Sequence, residues 1–207
     1  MMKKSASIIL YLCIWFVWAA WEQFIMPMLP NGTLTTILHS TVVKALIWIA
    51  PFLLFRGQFK SKEFFRTPFP WLACVALLCV SAAFLHTLRI VNGLLHTYIF
   101  FDPMFLLFSL SAGVIEELSF RGGFLNLQEQ EFGFWPAALI NGAMFTLYHY
   151  PELLIGQWQA LISLRSVLIF AMGVVFCWTY KKWRNLALNM TVHSVWNILS
   201  YLFCLAG

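Results

Sequence analysis

An all-α bundle of membrane-spanning helices is the fold class this sequence predicts, and three observations predict it. Of its 207 residues, 61% are hydrophobic and only 10% are charged, a balance that belongs to polytopic membrane chains rather than to soluble cores. The apolar residues fall into seven successive stretches, most of them near the roughly 20 residues a helix needs to cross the hydrocarbon layer. Polar sequence between them is short, the longest such loop running only from Arg56 to Pro70.

Taken in order, Met1 to Lys4 precede an apolar run reaching about Leu29. That run is too long for the apolar part of a signal peptide and lacks a small-residue cleavage site, so it reads as an uncleaved first span. The remaining spans are expected near 34–55, 70–88, 101–128, 134–151, 161–180 and 185–205. The fifth opens at Trp135-Pro136, with proline in the first turn, where its missing N–H costs nothing. Lys and Arg gather in alternate loops: Lys3 and Lys4; Arg56, Lys60, Lys62 and Arg66; Lys181, Lys182 and Arg184. Residues 27–33 and 151–160 carry none, and only Arg89 and Arg165 run against the trend. The positive-inside rule therefore places the N-terminus in the cytoplasm and the C-terminus outside. On this reading the net charge of +5 reflects loop asymmetry and not a nucleic-acid footprint. Cys13, Cys74, Cys79, Cys177 and Cys204 lie in apolar segments without CxxC or CxxH spacing, so neither a disulfide framework nor a zinc knuckle is indicated.

One stretch breaks the apolar pattern. Glu116-Glu117-Leu118-Ser119-Phe120-Arg121-Gly122-Gly123 puts two carboxylates and a guanidinium into the fourth span, where each charge costs on the order of 3 kcal/mol unless paired or hydrated. Glu117 and Arg121 stand four apart with the acid first, the favourable orientation for a helical ion pair. Glu116 lies about 100° further around the helix and is expected to be the carboxylate left over for chemistry.

Depth arithmetic adds partners. If the fourth helix reaches the cytoplasmic face near Gln128, Glu116 lies about 18 Å in, His149 about 21 Å along the fifth helix, and His193 and Asn197 about 12 and 18 Å along the seventh. His193 and Asn197, four apart, share a helix face. Three readings of this layer stay open. It could be a polar network gluing helices together. It could be a zinc site built from the carboxylate and two imidazoles with one open position, although no HExxH run is present. Or it could hydrolyse without metal, with Glu116 as general base on a water aided by His149, and with His193 and Asn197 donating to an oxyanion. In that last reading the site is recessed below the cytoplasmic face.

The ordered triplet Glu116-Glu117-x-x-x-Arg121, Phe145-Thr146-Leu147-Tyr148-His149 and His193-Ser194-Val195-Trp196-Asn197 resembles the EExxxR, FxxxH and HxxxN motifs of the CPBP family, the CAAX proteases and bacteriocin-processing enzymes also called Abi proteins. The similarity covers about residues 100–205. It implies an intramembrane glutamate-type endopeptidase in a bacterial cytoplasmic membrane, acting on a peptide or protein in or at the bilayer, with no cofactor and no metal. By the same likeness Glu116 activates the water, His149 orients it, His193 and Asn197 stabilise the oxyanion, Glu117 and Arg121 support them, and Phe145 packs behind. Two features depart from the family pattern: seven spans where the CAAX-processing members have eight, and Ser119 in place of an apolar residue. A prenylated substrate is not assumed. The alternative of another class is a non-catalytic bacteriocin-immunity or scaffold protein that keeps these residues for packing.

The division expected from this coverage is residues 1–98 as N-terminal helices and 99–207 as the catalytic membrane core. Glu22 and Lys44, at similar depth in the first two spans, are expected to pair with each other. His39, His86 and His96 read as interfacial, Trp71, Tyr180 and Trp183 as interfacial anchors, and the many Phe and Met residues as lipid-facing bulk.

Overall fold

The computed structural model describes residues 6–54, 64–93 and 102–203. Seven helices account for most of them: α1 Ala6–Met28, α2 Thr33–Leu53, α3 Trp71–Val91, α4 Pro103–Phe132, α5 Phe134–Tyr148, α6 Leu164–Trp183 and α7 Leu186–Leu202. No strand occurs among the described residues, only a single bridge between Phe65 and Asn185. The boundaries follow local chemistry. Asp102 caps α4 by accepting from the Met104 N–H at 2.9 Å, with Pro103 in the first turn, the pairing of a capping acid and a proline that favours helix starts. Ser163 and Asn185 cap α6 and α7 in the same way. Gly133, at φ 78°, breaks α4 from α5 in a backbone conformation that suits glycine.

Five of the seven, α1, α2, α3, α4 and α6, are long and apolar enough to cross a membrane. The other two are shorter than expected. α5 has 15 residues and α7 has 17, so α5 rises only about 22 Å against a hydrocarbon core of roughly 30 Å. Pro151 explains the early end of α5: it disfavours helical backbone at Tyr150, which sits at φ −129°, ψ 64°. The chain then makes two short turns, Pro151–Ile155 and Trp158–Leu161, before α6 begins at Leu164.

One end of the bundle collects the basic loops. Arg66 N–H donates to Arg184 O at 3.1 Å, and the Asn185 side chain donates to Thr67 O at 2.8 Å, joining the entry of α3 to the α6–α7 turn. Lys181 and Arg184 both reach Glu129 near the end of α4, and Ser7 at the start of α1 binds Glu131. α1, α3, α5 and α7 therefore start at this end, and α4 and α6 finish there. Lys3, Lys4, Arg56, Lys60, Lys62, His96 and Cys204 lie outside the described residues. α4 does not surface at Gln128, which is fully buried and bonded to Asn141 and Met144; it continues to Phe132.

The core is aromatic. Tyr11 and Trp18 of α1, Trp48 and Phe52 of α2, Phe120 and Phe124 of α4, and Phe145 and Tyr148 of α5 form one buried cluster. Many phenylalanines are thus packed inside and not lipid-facing. Tyr180, expected as an interfacial anchor, is 1% exposed and lies beneath the Arg184 guanidinium. Small residues set the helix spacing, as is usual where lipid supplies no hydrophobic drive. A Cβ on Gly173 of α6 would meet the Gly142 Cα of α5 at 2.9 Å, and one on Gly113 of α4 would meet the α7 backbone at Met190 O at 3.0 Å.

Candidate active site

The Glu116–Gly123 stretch sits where α4 changes its winding. Leu118–Phe124 form a wide turn with i→i+5 character, a distortion that concentrates at functional positions. Aromatic rings fill the space that the two glycines leave: a Cβ would meet Phe64 at 3.0 Å on Gly122 and Phe52 at 2.6 Å on Gly123. Ser119 Oγ donates to Ile115 O at 2.8 Å and to Trp48 O at 3.1 Å. The serine that departs from the family pattern therefore has a partner on α2.

Glu117 is the electrostatic centre. Arg121 Nη1 donates to its Oε1 at 2.8 Å, with both side chains 0% exposed, which is the ion pair expected from spacing. Two further α7 groups converge on the same carboxylate: His193 Nδ1 lies 3.0 Å from Oε1, and Asn189 Nδ2 donates to Oε2 at 3.3 Å. A carboxylate only accepts, so the His193 proton facing it sits on Nδ1. Arg121 is held further by Nη2 donating to Gly173 O at 3.1 Å and by the Phe145 ring, 4.5 Å from its guanidinium carbon. Burial of this charge is compensated by ionic, hydrogen-bonding and cation–π contacts together.

Glu116 is not left over. Lys44 Nζ of α2 donates to its Oε1 at 2.7 Å, and Tyr148 OH donates to the same oxygen at 3.0 Å. The expected Lys44–Glu22 pair gives way to this one, while Glu22 meets His39 Nε2 at 3.2 Å. His39 does not rely on interfacial solvation alone: its Nδ1 accepts from Trp21 Nε1 at 3.0 Å and its ring stacks on Trp18. The physical reason is neighbourhood, because α2 packs against α4 and turns Lys44 toward it. The other oxygen of Glu116, Oε2, is buried without a hydrogen-bond partner and lies 3.6 Å from His193 Nε2.

Of the residues expected to share this layer, Glu116 and His193 meet directly. His149 caps the C-terminus of α5, its Nδ1 2.8 Å from Phe145 O, which turns Nε2 away from its own helix. His149, His193 and Asn197 all line a cavity of about 380 Å³ bounded by α3, α5, α6 and α7. The Phe145 ring packs against Arg121 and both imidazoles, its centroid 4.8 Å from His149 and 5.8 Å from His193. Three contributors escape sequence reasoning. Lys44 had no signal linking it to α4. Tyr148 stands next to His149, and Asn189 stands one helical turn before His193, a spacing that could have marked it as a face-mate. Among the described residues no three His, Cys, Asp or Glu side chains are grouped to hold one metal ion.

Fold and site together define a polytopic helical membrane protein that carries a buried carboxylate–imidazole centre beside an internal cavity. Residues 98–199, just under half of the chain, match the family model of type II CAAX prenyl endopeptidases, Rce1-like, and in this stretch the chain is similar to the CAAX protease family. That likeness supports intramembrane protease activity in general. No curated protein and no solved structure matches the chain.

Proposed function

We propose that the protein hydrolyses a peptide bond of a membrane-associated peptide or protein, using a water activated by Glu116 without a metal. The observation that carries this reading is the division of labour in one carboxylate: Oε1 is fixed by Lys44 and Tyr148 while Oε2 is buried with no hydrogen-bond partner beside His193. In the proposed step Oε2 takes a proton from water, and the oxygen adds to the scissile carbonyl carbon. His149 orients that water. The tetrahedral oxyanion accepts hydrogen bonds from Asn197 and from His193 Nε2–H, the imidazole entering and leaving the step with that proton in place and its Nδ1–H on Glu117. Collapse breaks the C–N bond, and the proton held by Glu116 passes to the leaving amine.

A second reading has an observation of its own. The Lys44–Glu116–Tyr148 linkage ties α2, α4 and α5 together and would serve an immunity or scaffold protein that cleaves nothing. One comparison separates the two. Purified wild type and Glu116→Gln are incubated with a membrane-peptide library in bicelles, and products are read by mass spectrometry. Cleavage by wild type and none by a folded Glu116→Gln supports the enzyme, whereas no cleavage by either supports the scaffold.

A further inference from the structure

The wall of the cavity runs from one end of the bundle to its middle. Leu85 of α3, Phe145 of α5 and His193 of α7 form its buried part, while Asn92 beyond α3 and Leu164 at the start of α6 lie at the molecular surface. Measured from the basic end, His193 is seven residues into α7, a rise of about 10 Å. Asn92 lies 21 residues past the start of α3 and Leu164 lies 19 residues before the end of α6, which place the mouth roughly 30 Å away. That distance is one hydrocarbon thickness. The recess expected below the basic face thus opens at the opposite one.

The charges at the two ends differ. Arg66, Lys181, Lys182 and Arg184 occupy the end away from the mouth, and in sequence Lys3, Lys4, Arg56, Lys60 and Lys62 belong to the same set of loops. Only Arg89 and Arg165 belong to the mouth side. Such an excess of Lys and Arg marks the cytoplasmic face.

We infer that the cavity is loaded from the non-cytoplasmic face of the membrane, so that its substrates are apolar peptide segments already translocated across the bilayer. The chemistry of the wall agrees: apart from the catalytic groups it is dominated by aliphatic side chains such as Leu168 and Met172, which suit an apolar segment entering from that leaflet. As a statement about substrates the inference rests on the protease reading. As a statement about access it stands apart, and the two fail separately.

The test uses the full-length protein with Cys13, Cys79 and Cys204 replaced by serine, carrying Leu168→Cys in the cavity, Asn92→Cys at its mouth or Lys182→Cys at the basic end. A membrane-impermeant thiol reagent is applied to spheroplasts of a bacterial expression host and to inside-out vesicles from the same cells. Leu168→Cys and Asn92→Cys should label at least about tenfold faster in spheroplasts, and Lys182→Cys at least about tenfold faster in inside-out vesicles. Asn92→Cys reports the mouth even if the cavity variant folds poorly. Labelling of the cavity and mouth positions from the same side as Lys182→Cys, from both sides equally or from neither would overturn the inference. An impermeant peptide cleaved by the wild type in detergent should be cleaved in spheroplasts and spared by sealed inside-out vesicles. A lack of cleavage in detergent would refute the protease reading and leave the labelling result to decide the side of access.

Discussion

Replacing Glu117 by glutamine isolates the centre of the network. The carboxylate accepts from Arg121, His193 and Asn189 and is 0% exposed. Glutamine keeps the shape and one acceptor oxygen but removes the charge, and its NH2 group faces either Arg121 and His193 or Asn189, donor against donor. Arg121 stays buried with no counter-charge, a situation that costs about 3–5 kcal/mol. At roughly 2–4 °C per kcal/mol for a chain of this length, the thermal midpoint should fall by about 6–20 °C in a fluorescence-monitored melt in detergent. Turnover should fall as well, since His193 loses the acceptor that orients it. The double variant Glu117→Gln/Arg121→Met separates the two effects: removing both charges should recover much of the midpoint, giving a coupling well above the roughly 0.5 kcal/mol expected of independent sites, without recovering turnover. A Glu117→Gln midpoint within 1–2 °C of wild type would show that Arg121 does not depend on this carboxylate, and the account of the network would fail.

Further outcomes follow from the same geometry. Glu116→Gln should abolish cleavage but also lose stability, because Lys44 is left without its partner 2.7 Å away; adding Lys44→Met should restore the melt and not the activity, and turnover near wild type in the single variant would remove Glu116 as the base. His193→Ala and Asn197→Ala should each lower kcat by about 10²- to 10³-fold, the typical loss for one oxyanion donor, whereas a raised KM at unchanged kcat would make them substrate-binding groups. Gly113→Ala should destabilise the protein by about 1–3 kcal/mol, since its methyl would collide with Ser194 and the α7 backbone; an unchanged melt would mean that α4 and α7 can move apart freely. Activity should survive strong chelators, while one zinc per chain lost and regained together with activity would place a metal at the centre.

Several features were open to sequence reasoning because each depends on one helix at a time. Hydropathy located all seven helices to within about four residues, the largest difference being at the end of α4, expected near Gln128 and found at Phe132. The four-residue spacing foretold the Glu117–Arg121 pair, whereas the depth arithmetic rested on α4 ending near Gln128. From its end at Phe132 Glu116 lies about 24 Å in against about 10 Å for His193 in α7, and the stagger of the helix ends is what brings the two together. Proline in the sequence also carried the signal for the early end of α5, since Pro151 could have been read as a stop. Asn189 could have been added to the α7 stripe by its distance of four from His193.

What the tertiary structure alone decided is which helices are neighbours and how each is rotated. Spacing along a chain fixes the face and depth of a side chain, but a helix of given face and depth can pack beside any of several others. Lys44 could as well have met Glu22 on α1; the packing of α2 on α4 gave it to Glu116. His193 was expected to face only the reaction, yet the seating of α7 on α4 also commits its Nδ1 to Glu117. The direction in which the cavity opens belongs to four helices together and to none singly. The sequence by itself thus determined that charged and imidazole groups meet inside a membrane bundle, and three-dimensional packing determined how they pair and from which side they are reached.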